Sequence, residues 1–170
     1  MRVGKGFSLL EFAVVVLIIA GVVYALIPRV GDSLKLAHET VLTQTSAAYR
    51  ESLNLVALKH RAIGQASAVY DLPGAGNGLL DLNNAGFPIG VDHKPGADRP
   101  LQAQDCEALW YALLGGIPPS ASIQGDSDFR VQTRFDANHG LGCHYRYRRG
   151  GEMAIQYFPD DGVVTADVHF

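Results

Sequence analysis

From Phe7 to Ile27 the chain runs for 21 residues in which only Ser8 and Glu11 are strongly polar. At a helical rise of ~1.5 Å per residue this stretch spans about 31 Å, the depth of one bilayer core. No comparable run occurs in the rest of the sequence, so the pattern predicts one N-terminal membrane span followed by a soluble domain. A conventional secretory signal has a shorter apolar stretch and a small-residue cleavage site behind it. Here the run is too long, and it continues as Leu26-Ile27-Pro28-Arg29-Val30. A plain signal anchor fits the length but gives Glu11 no purpose. An ionised carboxylate at bilayer depth costs roughly 2.5–3.5 kcal/mol even on insertion scales.

A third reading gives the acid a purpose. Suppose a protease on the cytoplasmic side cuts between Gly6 and Phe7, behind the basic residues Arg2 and Lys5. The new α-amine then begins a helix with Glu11 one turn away. In a bundle of such helices the carboxylate of one subunit pairs with the amine of its neighbour, which offsets the cost of burial and penalises an unpaired subunit. The order of features (short basic leader, Gly6, aromatic Phe7, an acid four residues later, apolar helix) resembles the N-terminus of the type IV pilin family. That family includes minor pilins and the pseudopilins of type II secretion. The resemblance covers about the first 60 residues. It implies cleavage by a prepilin peptidase after Gly6, N-methylation of Phe7 and assembly through Glu11. It further implies other pilin subunits and an inner-membrane assembly platform as partners. The expected location is a single-pass inner-membrane protein with a periplasmic C-terminal domain, which after assembly becomes part of an extracellular fimbrium.

Behind the span, Val30, Leu34, Ala37, Val41, Ala48 and Leu55 or Val56 recur at helical spacing. Lys35, His38, Glu39, Gln44, Arg50 and Glu51 occupy other faces. One helix from about Phe7 to His60 is expected, apolar all round in its first half and amphipathic in its second. Pro28 lies inside it and predicts a kink or local unwinding, with Ala20-Gly21 as a second weak point.

The remainder reads as an α+β domain. Gly64 to Pro100 is rich in turn formers, with a small hairpin expected around Asn84–Gly86. Asp105 to Leu114 reads as a helix capped by Asp105 and stopped by Gly115-Gly116. Alternating strand patterns follow at Phe129–Phe135, Cys143–Arg148, Met153–Phe158 and Val163–Phe170, separated by turn signals. They predict an antiparallel meander covered by the amphipathic half of the long helix. The expected organisation is thus a leader at 1–6, a membrane and filament-core helix at 7–27, its amphipathic continuation at 28–61, and an exported domain at 62–170.

Two cysteines, Cys106 and Cys143, follow the span. An even count behind an export segment suggests an oxidising compartment and one disulfide, against the alternative of two buried thiols. A C-terminal disulfide loop is also usual in the resembled pilins. Gly86-Phe87-Pro88, Cys106-Glu107-Ala108-Leu109-Trp110 and Pro118-Pro119 are similar to the mannose-sensitive haemagglutinin pilin branch, although tyrosine is more usual there than Phe87.

The net charge of −3, which becomes −5 once Arg2 and Lys5 are removed, argues against a protein devoted to nucleic acid. One basic cluster still invites that role: Arg146, Arg148 and Arg149, interleaved with Tyr145 and Tyr147. On a strand the arginines at 146 and 148 face one way and the tyrosines the other, and Arg130 and Arg134 are expected to join them. The six histidines show no recognised zinc spacing, and Asp126, Asp128, Asp160 and Asp161 lack the ordered ligand alternation of a calcium loop. No nucleophile-elbow, phosphate-loop or metalloprotease motif is present. No catalysis, cofactor or metal is therefore expected, and the pilin resemblance implies a structural subunit, a major or minor pilin of a surface filament. The rival readings are a type II secretion pseudopilin and a DNA-binding or adhesive minor pilin.

Overall fold

A computed structural model describes residues 8–64, 67–92 and 99–169, apart from the side chains of residues 28–30, 32, 168 and 169. The bond between Gly6 and Phe7 and the Lys94-Pro95-Gly96 turn lie outside the described residues. The protein is α+β, with a long helix α1 (Leu9–Ile63) followed by strands and one short helix. It divides into two compact units between Ala37 and His38.

In the first unit α1 is apolar all round from Phe12 to Ile27, and each side chain from Leu9 to Ile27 is exposed. Leucine, isoleucine and valine cannot gain from burial where nothing covers them. This 19-residue stretch, of mean hydropathy 2.7, is long and apolar enough to cross a membrane. Helical backbone continues without a break past Pro28, so the local unwinding expected there is absent. Leu34 and Ala37, assigned to a buried stripe, are exposed.

In the second unit α1 buries Leu42, Thr45, Ser46, Tyr49, Leu53, Val56 and His60. Spacings of three and four put these on one face. This stripe lies one residue further round than the expected one over most of its length: Ala48 is exposed and Val41 is only partly buried, and of the pair Leu55 or Val56 it is Val56 that is buried. The tyrosine decides the rotation. Tyr49 is the largest side chain available to that stretch of helix, and its hydroxyl meets the Tyr145 hydroxyl at 3.1 Å. Polar Thr45 and Ser46 are carried inward with it.

After α1 comes a small hairpin, β1 (Asp81–Leu82) and β2 (Pro88–Gly90), paired antiparallel around the expected turn. The turn is tied by Asn83, whose side-chain oxygen accepts from the Ala85 and Phe87 amides. Helix α2 runs from Ala103 to Leu114. Its N-cap is Gln102, not Asp105 as expected. Asp105 sits three residues in and reaches back, accepting the Gln102 amide at 2.8 Å and pairing with Arg99 at 2.6 Å. An acid in the first turn also faces the positive end of the helix.

The main sheet has the order β3 (Ala121–Ser122), β4 (Phe129–Asp136), β5 (Gly140–Tyr147), β6 (Glu152–Phe158), β7 (Val163–His169). Strands β4 to β7 form the expected antiparallel meander. The short β3 adds a parallel edge that the sequence pattern did not reveal. Alternation puts Phe129, Val131, Tyr145, Tyr147, Met153, Ile155 and Tyr157 on the inner face, all buried. Trp110 of α2 lies at the centre of this core. Its ring centroid is 4.7 Å from those of Phe129 and Tyr145 and 6.2 Å from that of Tyr49, and its indole N–H donates to the Pro119 carbonyl at 2.9 Å.

Candidate functional site

Three places carry the chemistry expected of this chain. The first is the start of α1. Ser8 precedes the helix, and its Oγ accepts the Leu10 amide at 3.2 Å. Glu11, in the first turn, accepts the Ser8 amide through Oε2 at 2.9 Å. Reciprocal contacts of this kind are what a Ser-x-x-Glu pattern makes at a helix start. That signal was present in Ser8-Leu9-Leu10-Glu11 and was overlooked in favour of the charge of Glu11. The hydrogen bond caps one orphan amide but leaves the carboxylate without a counter-charge among the described residues. Both contacts lie on the C-terminal side of the Gly6–Phe7 bond.

The second is the disulfide between Cys106 and Cys143, which joins α2 to β5 across a Cα–Cα distance of 5.4 Å. Both cysteines are buried. Beside it the Tyr145 hydroxyl donates to the Cys106 carbonyl at 2.8 Å. Burial pushes the Tyr145 and Tyr49 hydroxyls well above the usual tyrosine range, so both remain protonated and available as donors at physiological pH.

The third is the outer face of the sheet, where Arg146, Arg148 and Arg149 were grouped. The structure separates them. Arg148 donates to the Gly125 carbonyl at 2.8 Å and approaches Asp126 at 3.3 Å, and Arg149 pairs with Asp128 at 2.8 Å. Arg130, facing the same way, is tied to the Ile123 carbonyl at 2.6 Å. The loop between β3 and β4 thus occupies three of the five arginines. Arg146 and Arg134 remain, and among the described residues no carboxylate is within ion-pair range of either.

Those two flank a histidine that the sequence reading left aside. His144 lies between them on β5, opposite Gln132 of β4 and Gln156 of β6. Arg134, His144, Arg146 and the loop-tied Arg148 line a dent of about 430 Å³ together with Glu152, Ala154 and Asp167. Ala154 makes the dent, because a small side chain sits in register between Arg146 and Asp167. Burial, then the positive charges of Arg134 and Arg146, hold the His144 imidazole below the usual histidine range. At neutral pH His144 is therefore an uncharged hydrogen-bonding group, and the positive charge of the dent comes from Arg134 and Arg146, with Arg148 at its edge held toward Gly125 and Asp126.

Three of the four acids considered for calcium are paired, Asp126 with Arg148, Asp128 with Arg149 and Asp161 with His139. Besides Arg149, Asp128 accepts from Ser120 Oγ at 2.7 Å, and that hydrogen bond is the main reason its carboxyl lies below the usual carboxylate range. Among the described residues no group of three His, Cys, Asp or Glu side chains gathers in metal-binding geometry. Compared with known proteins, the chain matches no family model, no curated protein and no solved structure.

Proposed function

We propose that this chain is a pilin-like structural subunit of a type IV filament. It is made as a membrane-anchored precursor, cut after Gly6 by a prepilin peptidase and passed to an inner-membrane assembly platform. The observation that supports this best is a single acid, Glu11, in the first turn of a helix whose next turns are wholly apolar and exposed. A helix that only anchored a domain would gain nothing from that charge. A helix destined to pack among copies of itself gains register from it, because each carboxylate must find the amine exposed on an adjacent subunit. The Leu9–Ile27 segment then serves twice, as the membrane span before assembly and as the filament core after it. The disulfide-closed α+β domain is the part that faces the periplasm and later the outside.

Glu11 has two roles to separate, cap and charge. Glutamine keeps an acceptor for the Ser8 amide and removes the charge. In cells with a working assembly system, Glu11→Gln should enter filaments at least about 100-fold less than the native chain, since an amine left without its partner costs roughly 3–5 kcal/mol, two to more than three powers of ten. Its level in the membrane should stay unchanged. If Glu11→Gln assembles normally while Glu11→Ala does not, the carboxylate acts as a helix cap and the assembly role is wrong.

A further inference from the structure

We infer that the dent on the outer sheet face, lined by Arg134, His144 and Arg146 against Glu152 and Asp167, binds a carboxylated sugar. The filament assignment is not needed for this; the site belongs to the folded domain alone.

The charge layout selects the ligand. Arg146, Ala154 and Asp167 stand in register on three adjacent strands, so the backbones that carry the cation and the acid are about 9–10 Å apart, two inter-strand spacings, and the two side chains form no ion pair. A ligand crossing the dent must be anionic at one end and a hydrogen-bond donor at the other. A sugar ring with one carboxylate meets both needs. Its carboxylate takes the arginine N–H donors, which suit a planar, two-oxygen acceptor. His144, uncharged at neutral pH, supplies a further hydrogen bond. The sugar hydroxyls donate to Glu152 and Asp167, and the small Ala154 leaves room for the ring. Asp167 is held in place for this by the Gln156 side chain, which donates to it at 2.5 Å.

A nucleic-acid strand fits less well. It carries a phosphate at every nucleotide, so one crossing the dent would carry a second charge onto Asp167. Along β5 instead, the track ends near Asp136 on one side and near Asp126 and Asp128 on the other. The arginines nearest that second end, Arg148 and Arg149, are already paired with those acids.

The test uses the full-length chain in neutral detergent micelles and titration calorimetry with three probes: methyl galacturonoside, which carries one carboxylate, its uncharged methyl ester, and a single-stranded oligodeoxynucleotide. Methyl galacturonoside should bind at millimolar concentration or tighter, and the methyl ester about tenfold or more weakly. Arg134→Gln and Arg146→Gln should each weaken methyl galacturonoside by about tenfold or more, while Arg149→Gln stays within about twofold. All three positions are exposed, and unchanged melting temperatures would show that the variants fold. Any one of four results overturns the assignment: no methyl galacturonoside binding, equal binding of the ester, equal loss in Arg149→Gln, or tighter binding of the oligonucleotide through Arg146.

Discussion

Replacing Cys106 and Cys143 together with serine should lower the stability of the exported domain by about 4 kcal/mol. The bridge spans a sequence separation of 37 residues, and the chain-entropy model assigns a loop of that size roughly this value. Strands β3 and β4 lie inside the loop, so without the bridge the unfolded chain regains the freedom of a third of the sheet. Against a typical net stability of about 5–15 kcal/mol the loss is severe, and the melting temperature should fall by about 10–15 °C. Near-ultraviolet circular dichroism of the full chain in micelles, followed through heating, measures this directly. A shift below about 2 °C would mean that α2 and β5 are held by packing alone.

The second large effect is expected at Trp110. It is the only tryptophan, is completely buried, and touches the rings of Phe129, Tyr145 and Tyr49. Cutting it to alanine opens a cavity where helix α2, the sheet and the Tyr49 face of α1 meet, and should cost about 3–5 kcal/mol. The Pro119 carbonyl loses its donor as well. Trp110→Phe separates the two contributions: most of the volume remains, so the cost should be about 1–2 kcal/mol, largely from the orphaned carbonyl. Urea unfolding followed at 222 nm compares the three chains. Equal stability of Trp110→Ala and the native chain would move the centre of the core elsewhere.

Much of this was legible in the sequence, and the failures have physical causes. The apolar run, the meander and the hairpin at Asn84–Gly86 were readable because each is set by local period and turn chemistry. The disulfide followed from an even cysteine count behind an export segment. The face of α1 was misjudged by one residue, since Thr45 and Ser46 disguise a stripe that Tyr49 and Leu53 define. Asp105 was taken for a cap because acids favour that position, while its actual place lets it serve Gln102 and Arg99 together. The basic face was misgrouped for a different reason. Which arginines remain available depends on the β3–β4 loop folding back onto Arg130, Arg148 and Arg149. No local pattern records a contact made across the sheet edge. The capping pattern at Ser8 and Glu11 was readable, and was eclipsed by the more conspicuous charge.

The filament assignment rests on a bond outside the described residues, so the most direct test is chemical. The full chain should be expressed with an active prepilin peptidase and its intact mass and N-terminal sequence determined. The account predicts a chain beginning at Phe7 with a methylated α-amine, the six leader residues gone, and no such product when Gly6 is replaced by a bulky residue. A chain that still begins at Met1 beside an active peptidase would contradict it.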